Sequence, residues 1–151
     1  MFIEPNIELI LSTVSTLDAS QKPLWGAMSA QRMIEHLTDS VQVSSGKIEL
    51  EQITPDDKLD RMISFLESDK PMAKNIEVSF AGKDVPLRHE EIELAIDELV
   101  EEWIDFEELY ASNVGLKIPH PYYGPLNFEQ WLRLHSKHFT HHFEQFGLKL
   151  A

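Results

Sequence analysis

The sequence predicts an all-α protein: a four-helix bundle with a short extra helix and a long loop between its second and third helices. Apolar residues recur every three or four positions in four long segments, which is the spacing of one buried helix face. Glycine and proline cluster between these segments, where they end helices and form turns. No strand-like segment has a second strand to pair with, so a sheet is not expected.

The first two helices are marked by apolar stripes and end signals. Helix one is expected over residues 5–18, where isoleucine, leucine and valine recur at helical spacing. The stretch 18–26 is interpreted as a connection, and Ser29 is a suitable N-cap for helix two. Helix two is predicted over about Ala30–Ser44, because Gly46 follows as a helix-ending residue.

Apolar residues recur less regularly in residues 47–86 than in the helical segments. This part of the chain is predicted to leave the bundle and then return to it. A helix-start signal at Thr54 favours a short extra helix that continues to about Glu67. The segment 76–80 alternates like a strand, but a lone strand has no partner here, so it is interpreted as an extended loop.

Helices three and four complete the predicted bundle. Helix three should span about Arg88–Ala111, where an apolar stripe faces one way and acidic residues cover the rest. Residues 113–126 contain two glycines and three prolines and are predicted to be loop. Asn127 can cap helix four together with Gln130 in a capping box, and Gly147 ends the helix.

Length and composition indicate one folded domain, residues 1–151. Hydrophobic residues make up 42% and charged residues 26%, which is typical of globular proteins. The chain has no cysteine, which excludes disulfides, thiolate metal sites and a cysteine nucleophile. Any metal ion must therefore bind to histidine, aspartate or glutamate.

The chain is acidic, with 13 lysines and arginines against 26 aspartates and glutamates and a formal net charge of -13. Such a charge repels nucleic acid, so no nucleic-acid partner is expected. The opening residues lack the positive charge of a signal peptide, and no apolar run approaches the ~20 residues of a membrane span. The expectation is a cytoplasmic location without a membrane partner.

Helix four carries four of the seven histidines: His135, His138, His141 and His142. Imidazoles on one helix can share a metal ion when they are three or four residues apart, which leaves the pairs 135/138, 138/141 and 138/142. His138 belongs to every pair. The pair 138/142 is preferred, because both rings lean toward the apolar side of the helix, where metal binding compensates for burying polar atoms.

Further ligands must come from a facing helix, and helix two offers His36 on or beside its apolar stripe. Three imidazoles with an open position are the arrangement of catalytic zinc, and imidazole also suits nickel or copper. Two simpler interpretations stay open. A single histidine on an apolar stripe is often a hydrogen-bonded core residue, and several histidines on one helix can be a surface cluster without function.

Four motifs occur together: WGxM at residues 25–28, a histidine in helix two, HPxxG at 120–124 and HxxHHxxQFG at 138–147. They resemble the motifs of the DinB-like superfamily of metal-binding four-helix bundles, in a branch of uncharacterised function. The resemblance covers most of the chain and is weakest over 47–86. It implies a DinB-like fold for the whole domain.

The resemblance also implies a metal site. Its three ligands would be His36, His138 and His142, holding a divalent ion, zinc or nickel. His135 and His141 would then contact the site or the neighbouring helix without binding metal. Similar proteins include transferases of low-molecular-weight thiols, isomerases and hydrolases, so the implied partner is a small-molecule substrate, and such a thiol is one candidate.

A homodimer is a further expectation, because DinB-like proteins are often dimers. The aromatic side chains on helix three, Trp103, Phe106 and Tyr110, could form the contact between the two copies, or the core could absorb them.

Two classes of function follow. One is a metal-dependent enzyme for thiol transfer or hydrolysis, since a metal on three histidines lowers the pKa of a bound thiol or water. The alternative is a non-catalytic metal-binding or interaction protein. Candidate general bases are Glu35, Asp39, Glu144 and a tyrosine of the pair Tyr122 and Tyr123, which the sequence does not rank.

Overall fold

The computed structural model describes residues 2–73 and 85–149 and is mostly helical, with a small two-stranded antiparallel sheet. The strand-like segment 76–80 lies outside the described residues. In the described part of the chain, no helix is both long and apolar enough to cross a membrane. The elements in chain order are α1 Ile7–Val14, α2 Ala30–Ser44, α3 Leu59–Glu67, α4 Ile92–Ser112, β1 Ile118–His120, β2 Gly124–Leu126 and α5 Phe128–Gln145.

The four long predicted helices correspond to α1, α2, α4 and α5, and the short extra helix to α3. The predicted N-caps are confirmed. The Ser29 side chain accepts a hydrogen bond from the Arg32 N–H at the start of α2. Asn127 and Gln130 form a capping box at the start of α5, each side chain accepting from the other residue's N–H.

Two helices are shorter than predicted, each for a visible reason. Asn6 caps α1, so the helix starts inside the expected range 5–18 and ends before Ser15. Helix α4 begins at Ile92 rather than near Arg88, because the N–H groups of Arg88 and His89 bind a side chain of α2 instead of entering a helix.

The prediction that residues 113–126 are loop throughout is wrong for β1 and β2, which form a hairpin. Pro119 lies opposite Pro125 in the register, so this pair contributes no backbone N–H to the ladder. Gly124 has a φ of +72°, and a Cβ there would lie 2.8 Å from the side chain of Leu59. The indole N–H of Trp131 in α5 donates to the Ile118 carbonyl at 3.0 Å and ties the hairpin to that helix.

Helix α2 lies at the centre of the molecule, packed against α4 and α5. Every residue of α2 except Gln42 is buried, including charged ones. Trp103, Phe106 and Tyr110 of α4 are also buried in the core. The aromatic side chains that were considered for a dimer contact are therefore part of the core. The homodimer itself stays a prediction.

Glu35 is the most deeply buried carboxylate of α2, with no exposed surface. It accepts hydrogen bonds from the N–H of Arg88 at 2.7 Å, the N–H of His89 at 3.2 Å and the amide of Gln31 at 3.1 Å. Burial would raise the pKa of Glu35, but these hydrogen bonds and the charge of Arg88 together lower it below its usual value. Glu35 is thus ionised and anchors the chain that leads into α4.

Removal of this carboxylate tests its structural role. Glu35→Ala should lower the free energy of unfolding by roughly 3 kcal/mol, because three donors lose their partner inside the protein. Glu101 is an exposed glutamate of α4, so Glu101→Ala should change the same quantity by less than about 0.5 kcal/mol. Urea unfolding followed by circular dichroism measures both, and equal losses in the two variants would contradict the role given to Glu35.

Candidate metal centre

Three histidines from two helices converge on one point. The Nε2 atom of His36 in α2 lies 2.8 Å from Nε2 of His138 in α5, and Nε2 of His142 lies 3.0 Å from the same atom. All three nitrogen atoms lie within 4.8 Å of one another. His138 and His142 share a face of α5 because they are four residues apart. The predicted approach of His36 to His138 is confirmed.

The three imidazoles are neutral at pH 7. Burial is the largest cause in each case, since it disfavours the charged ring, and repulsion of that charged ring by the neighbouring histidines, and for His36 also by Arg32, adds to the effect. The pKa values of His36 and His138 fall well below the usual value, and that of His142 falls to about 4. A hydrogen bond to Gln145 partly opposes the shift of His142. Neutral rings are the form in which histidine binds metal ions.

Gln145 fixes the orientation and the proton of His142. The amide nitrogen of Gln145 donates to the Trp25 carbonyl at 3.0 Å, so its oxygen faces Nδ1 of His142 at 2.7 Å. Nδ1 must then carry the proton, which leaves the lone pair of Nε2 directed toward His36 and His138. A ligating imidazole usually has such a partner on its other nitrogen.

The donor set fits a divalent transition metal. Two imidazole nitrogens bound to one zinc at about 2.0–2.1 Å lie roughly 3.3 Å apart in tetrahedral geometry. The separations of 2.8 and 3.0 Å between Nε2 atoms need only small side-chain shifts to reach that value. His36, His138 and His142 can therefore hold a metal ion, and neutral imidazole is a ligand for zinc, nickel and copper alike.

A cavity of about 100 Å³ adjoins the histidine cluster on the side of His36 and His138. Among the described residues, its lining is mostly apolar or aromatic and includes no lysine, arginine, aspartate or glutamate. The remaining lining residues are Ser40, Val43, Met72, His120, Tyr122, Tyr123, Trp131, Leu134 and His135. The cavity provides room for a small molecule beside the open position of a three-histidine site.

The hairpin supplies one wall of this cavity through His120, Tyr122 and Tyr123. Burial raises the pKa of Tyr123 to about 12, so its hydroxyl stays protonated and can donate a hydrogen bond. His120 was not predicted as a site residue, although it begins the HPxxG motif. A proline-rich loop pattern gives no sign of which way its side chains point.

The candidate general bases fall into two groups. Tyr122 and Tyr123 line the cavity, whereas none of the three carboxylates does so in the described residues. Asp39 binds Arg32 at 3.0 Å and Arg88 at 2.6 Å. Glu35 accepts hydrogen bonds from the N–H groups of Arg88 and His89 and from the amide of Gln31. Glu144 is exposed on α5.

The remaining histidines of α5, His135 and His141, lie outside the cluster of three. His135 is buried among aromatic rings, and its Nε2 lies 2.9 Å from the hydroxyl of Ser44 in the neighbouring helix. That hydroxyl donates to the Val41 carbonyl at 2.6 Å, so Nε2 of His135 carries the proton and donates to it. His141 is partly exposed, and its ring contacts Trp25 edge-on at 5.7 Å between centroids.

Comparison with known proteins gives a family and no function. Residues 5–149 match the model of a family described as protein of unknown function (DUF1569). No curated protein and no solved structure matches the chain.

Gln145 provides a test of how the cluster is organised. Gln145→Ala should weaken zinc binding about 10–100-fold, because His142 loses the acceptor that fixes its ring and proton. Glu144→Ala, one residue away and exposed, should leave the affinity unchanged. Titration of each protein against a zinc indicator measures the two affinities. Equal affinities for the two variants would show that Gln145 does not orient His142.

Buried neutral histidines also predict a pH-dependent stability. Burial lowers the pKa of His135 to about 3, with a smaller contribution from His120, whereas unfolded histidine titrates near about 6.5. Stability is complete above about pH 6.5 and falls below it, because only the unfolded chain then binds protons. Each such histidine should cost about 1.4 kcal/mol per pH unit until the pH nears its folded pKa.

His135→Gln isolates one of these contributions. Between about pH 6 and pH 4, the free energy of unfolding of this variant should decrease less steeply than that of the wild type, by about 1.4 kcal/mol per pH unit. Urea unfolding in the presence of a chelator, at several pH values, gives both slopes. Identical slopes would mean that His135 titrates alike in the folded and unfolded states.

Proposed function

The chain belongs to the DUF1569 family, and we propose that this member is a metal-dependent enzyme acting on a small molecule. His36, His138 and His142 would hold a divalent ion, zinc or nickel, in a DinB-like four-helix bundle formed by α1, α2, α4 and α5. The convergence of three neutral Nε2 atoms beside a cavity is the observation that carries the proposal.

The chemistry follows from the donor set. A divalent ion at this position would lower the pKa of a thiol or water at its open coordination position and so provide a nucleophile, which a chain without cysteine cannot supply as a thiolate of its own. Thiol transfer to an electrophile and hydrolysis are the two reaction classes that use such a nucleophile.

The side chains around the cavity would bind and orient the substrate. Val43, Met72 and Leu134 exclude water from its apolar part, which strengthens the electrostatic interactions made there. Tyr123 can donate a hydrogen bond from its protonated hydroxyl. Because no charged side chain lines the cavity in the described residues, an uncharged substrate group fits it best.

The alternative is a metal ion that only stabilises the fold. One observation favours it: the ligands join α2 to α5 across 102 residues of sequence, so a bound ion would also cross-link the two helices. Both functions require metal binding, and only the enzyme requires the cavity.

Metal binding is tested by paired variants of α5. His138→Ala should bind no zinc or nickel tightly, because Nε2 of His138 contacts both other ligands. It should also lack the stabilisation by metal, which is about 2.7 kcal/mol when free metal is at 100 times its dissociation constant. His36→Ala should behave in the same way, and His141→Ala should keep both properties. Calorimetric titration and melting scans with metal or chelator measure these effects, and tight metal binding by His138→Ala would refute the site.

Activity separates the enzyme from the stabilising ion. The metal-loaded protein should convert members of a panel of small electrophiles and esters, with and without added thiols, and the chelator-treated protein should not. Val43→Phe, which fills the cavity at a residue that is not a ligand, should retain metal and lose this activity. Metal-dependent stabilisation without turnover on any member, in wild type and variant alike, would favour the stabilising ion.

A further inference from the structure

His120 is a further buried histidine of this cavity. It comes from the hairpin, whereas the three clustered histidines come from α2 and α5. It is 8% exposed and lines the cavity together with His36 and His138. Its Nε2 atom does not belong to the group of three nitrogens that could share a metal ion. The ring therefore faces the same space as the candidate metal ligands and has another role.

The backbone fixes which nitrogen of His120 carries the proton. The N–H of Tyr122 donates to Nδ1 of His120 at 3.0 Å. A backbone N–H can only donate, so Nδ1 must be the unprotonated acceptor. The proton of the neutral ring is then on Nε2, which makes this atom a hydrogen-bond donor and prevents it from binding a metal ion.

The donor at Nε2 has no acceptor within the described part of the chain. Nδ1 of His120 is used by Tyr122, and no described oxygen or nitrogen accepts from Nε2. Nε2 of His120 is not one of the fully buried side-chain atoms that lack a hydrogen-bond partner, so it keeps some accessible surface, where water or a bound molecule can accept its hydrogen bond. Because the ring lines the cavity, a molecule bound in the cavity can provide that acceptor.

The hairpin holds His120 at a fixed position relative to the histidine cluster. Trp131 of α5 donates to the Ile118 carbonyl at 3.0 Å, two residues before His120 on the same strand. The rings of Trp131 and Tyr123 pack against the imidazole, with centroids at 5.5 and 4.9 Å. Since α5 also carries His138 and His142, one helix positions the donor and two of the three candidate ligands.

We propose that the Nε2–H of His120 binds the acceptor oxygen of a small, uncharged carbonyl-type substrate lying in the cavity beside the metal ligands. This inference rests on the proposed function, because it makes the cavity a substrate site next to the metal. It identifies the substrate class by a hydrogen-bond acceptor, by a described lining without charged side chains and by a cavity of about 100 Å³. His120 positions this oxygen and does not bind the metal.

The test uses zinc-loaded protein and acetohydroxamic acid, a small uncharged metal ligand with a carbonyl oxygen. His120→Phe keeps an aromatic ring and removes the donor, whereas His120→Gln keeps an amide N–H near the position of Nε2. His89→Phe makes the same change at a histidine that does not line the cavity. Calorimetry first measures zinc binding and then acetohydroxamic acid binding to each zinc-loaded protein.

All four proteins should bind zinc with similar affinity. His120→Phe should bind acetohydroxamic acid about tenfold more weakly than wild type, which is the loss of one hydrogen bond. His120→Gln should recover most of the affinity, and His89→Phe should match wild type. An unchanged affinity in His120→Phe would overturn the inference while leaving the metal site intact. Loss of zinc by folded His120→Phe would instead make His120 a ligand and also overturn it.

Two further outcomes keep the failures separate. If wild-type protein binds no zinc, the proposed metal-dependent function is refuted, and the role proposed for His120 is refuted as well. If zinc binds but the His120 variants do not fold, the wild-type protein still gives an answer by long-range proton–nitrogen NMR of its histidine rings. A proton on Nε2 of His120, with a chemical shift that changes when acetohydroxamic acid is added, supports the inference. A proton on Nδ1, or no change, overturns it.

Discussion

The burial of α2 is the constraint on which the rest of the structure depends. A central helix that carries Arg32, Glu35, His36 and Asp39 places charged and polar groups where water cannot reach them. Each such group must find a partner inside the protein or lower the stability of the fold. The chain meets this requirement differently on two sides of the helix. Toward Arg88 and α4 it forms ion pairs and hydrogen bonds, and toward α5 it places imidazoles together.

These two solutions have opposite consequences for chemistry. The carboxylates of α2, Glu35 and Asp39, bind arginines and backbone N–H groups, so they organise the fold and do not line the cavity. The imidazoles are held neutral by burial, and their Nε2 atoms converge on one point. The same helix therefore provides a structural anchor through Glu35 and a candidate ligand through His36, on adjacent residues.

Structural features that depend on helical spacing could be predicted from the sequence, whereas features that depend on tertiary contacts could not. The helices could be located from the caps at Ser29 and Asn127 and from the apolar stripes. The spacing of the α5 histidines favoured the pair 138/142, because a helix has 3.6 residues per turn and residues four apart share one face. The hairpin has strands of three residues with a proline in each, too short for an alternating pattern. The burial of α2 was also not predictable, since its many polar residues resemble those of a solvated helix.

The charges of the chain bear on the choice between thiol transfer and hydrolysis. The chain carries a formal net charge of -13, and the cavity beside the histidine cluster has no cationic side chain in its described lining. A thiol that carries carboxylates would be repelled during encounter and would find no counterion among the described lining residues of the cavity. An uncharged thiol or a water molecule avoids both costs. For the proposed enzyme, the electrostatics would thus favour hydrolysis, or transfer of an uncharged thiol, over transfer of an anionic thiol, in agreement with the neutral hydrogen-bond donors proposed at Tyr123 and His120.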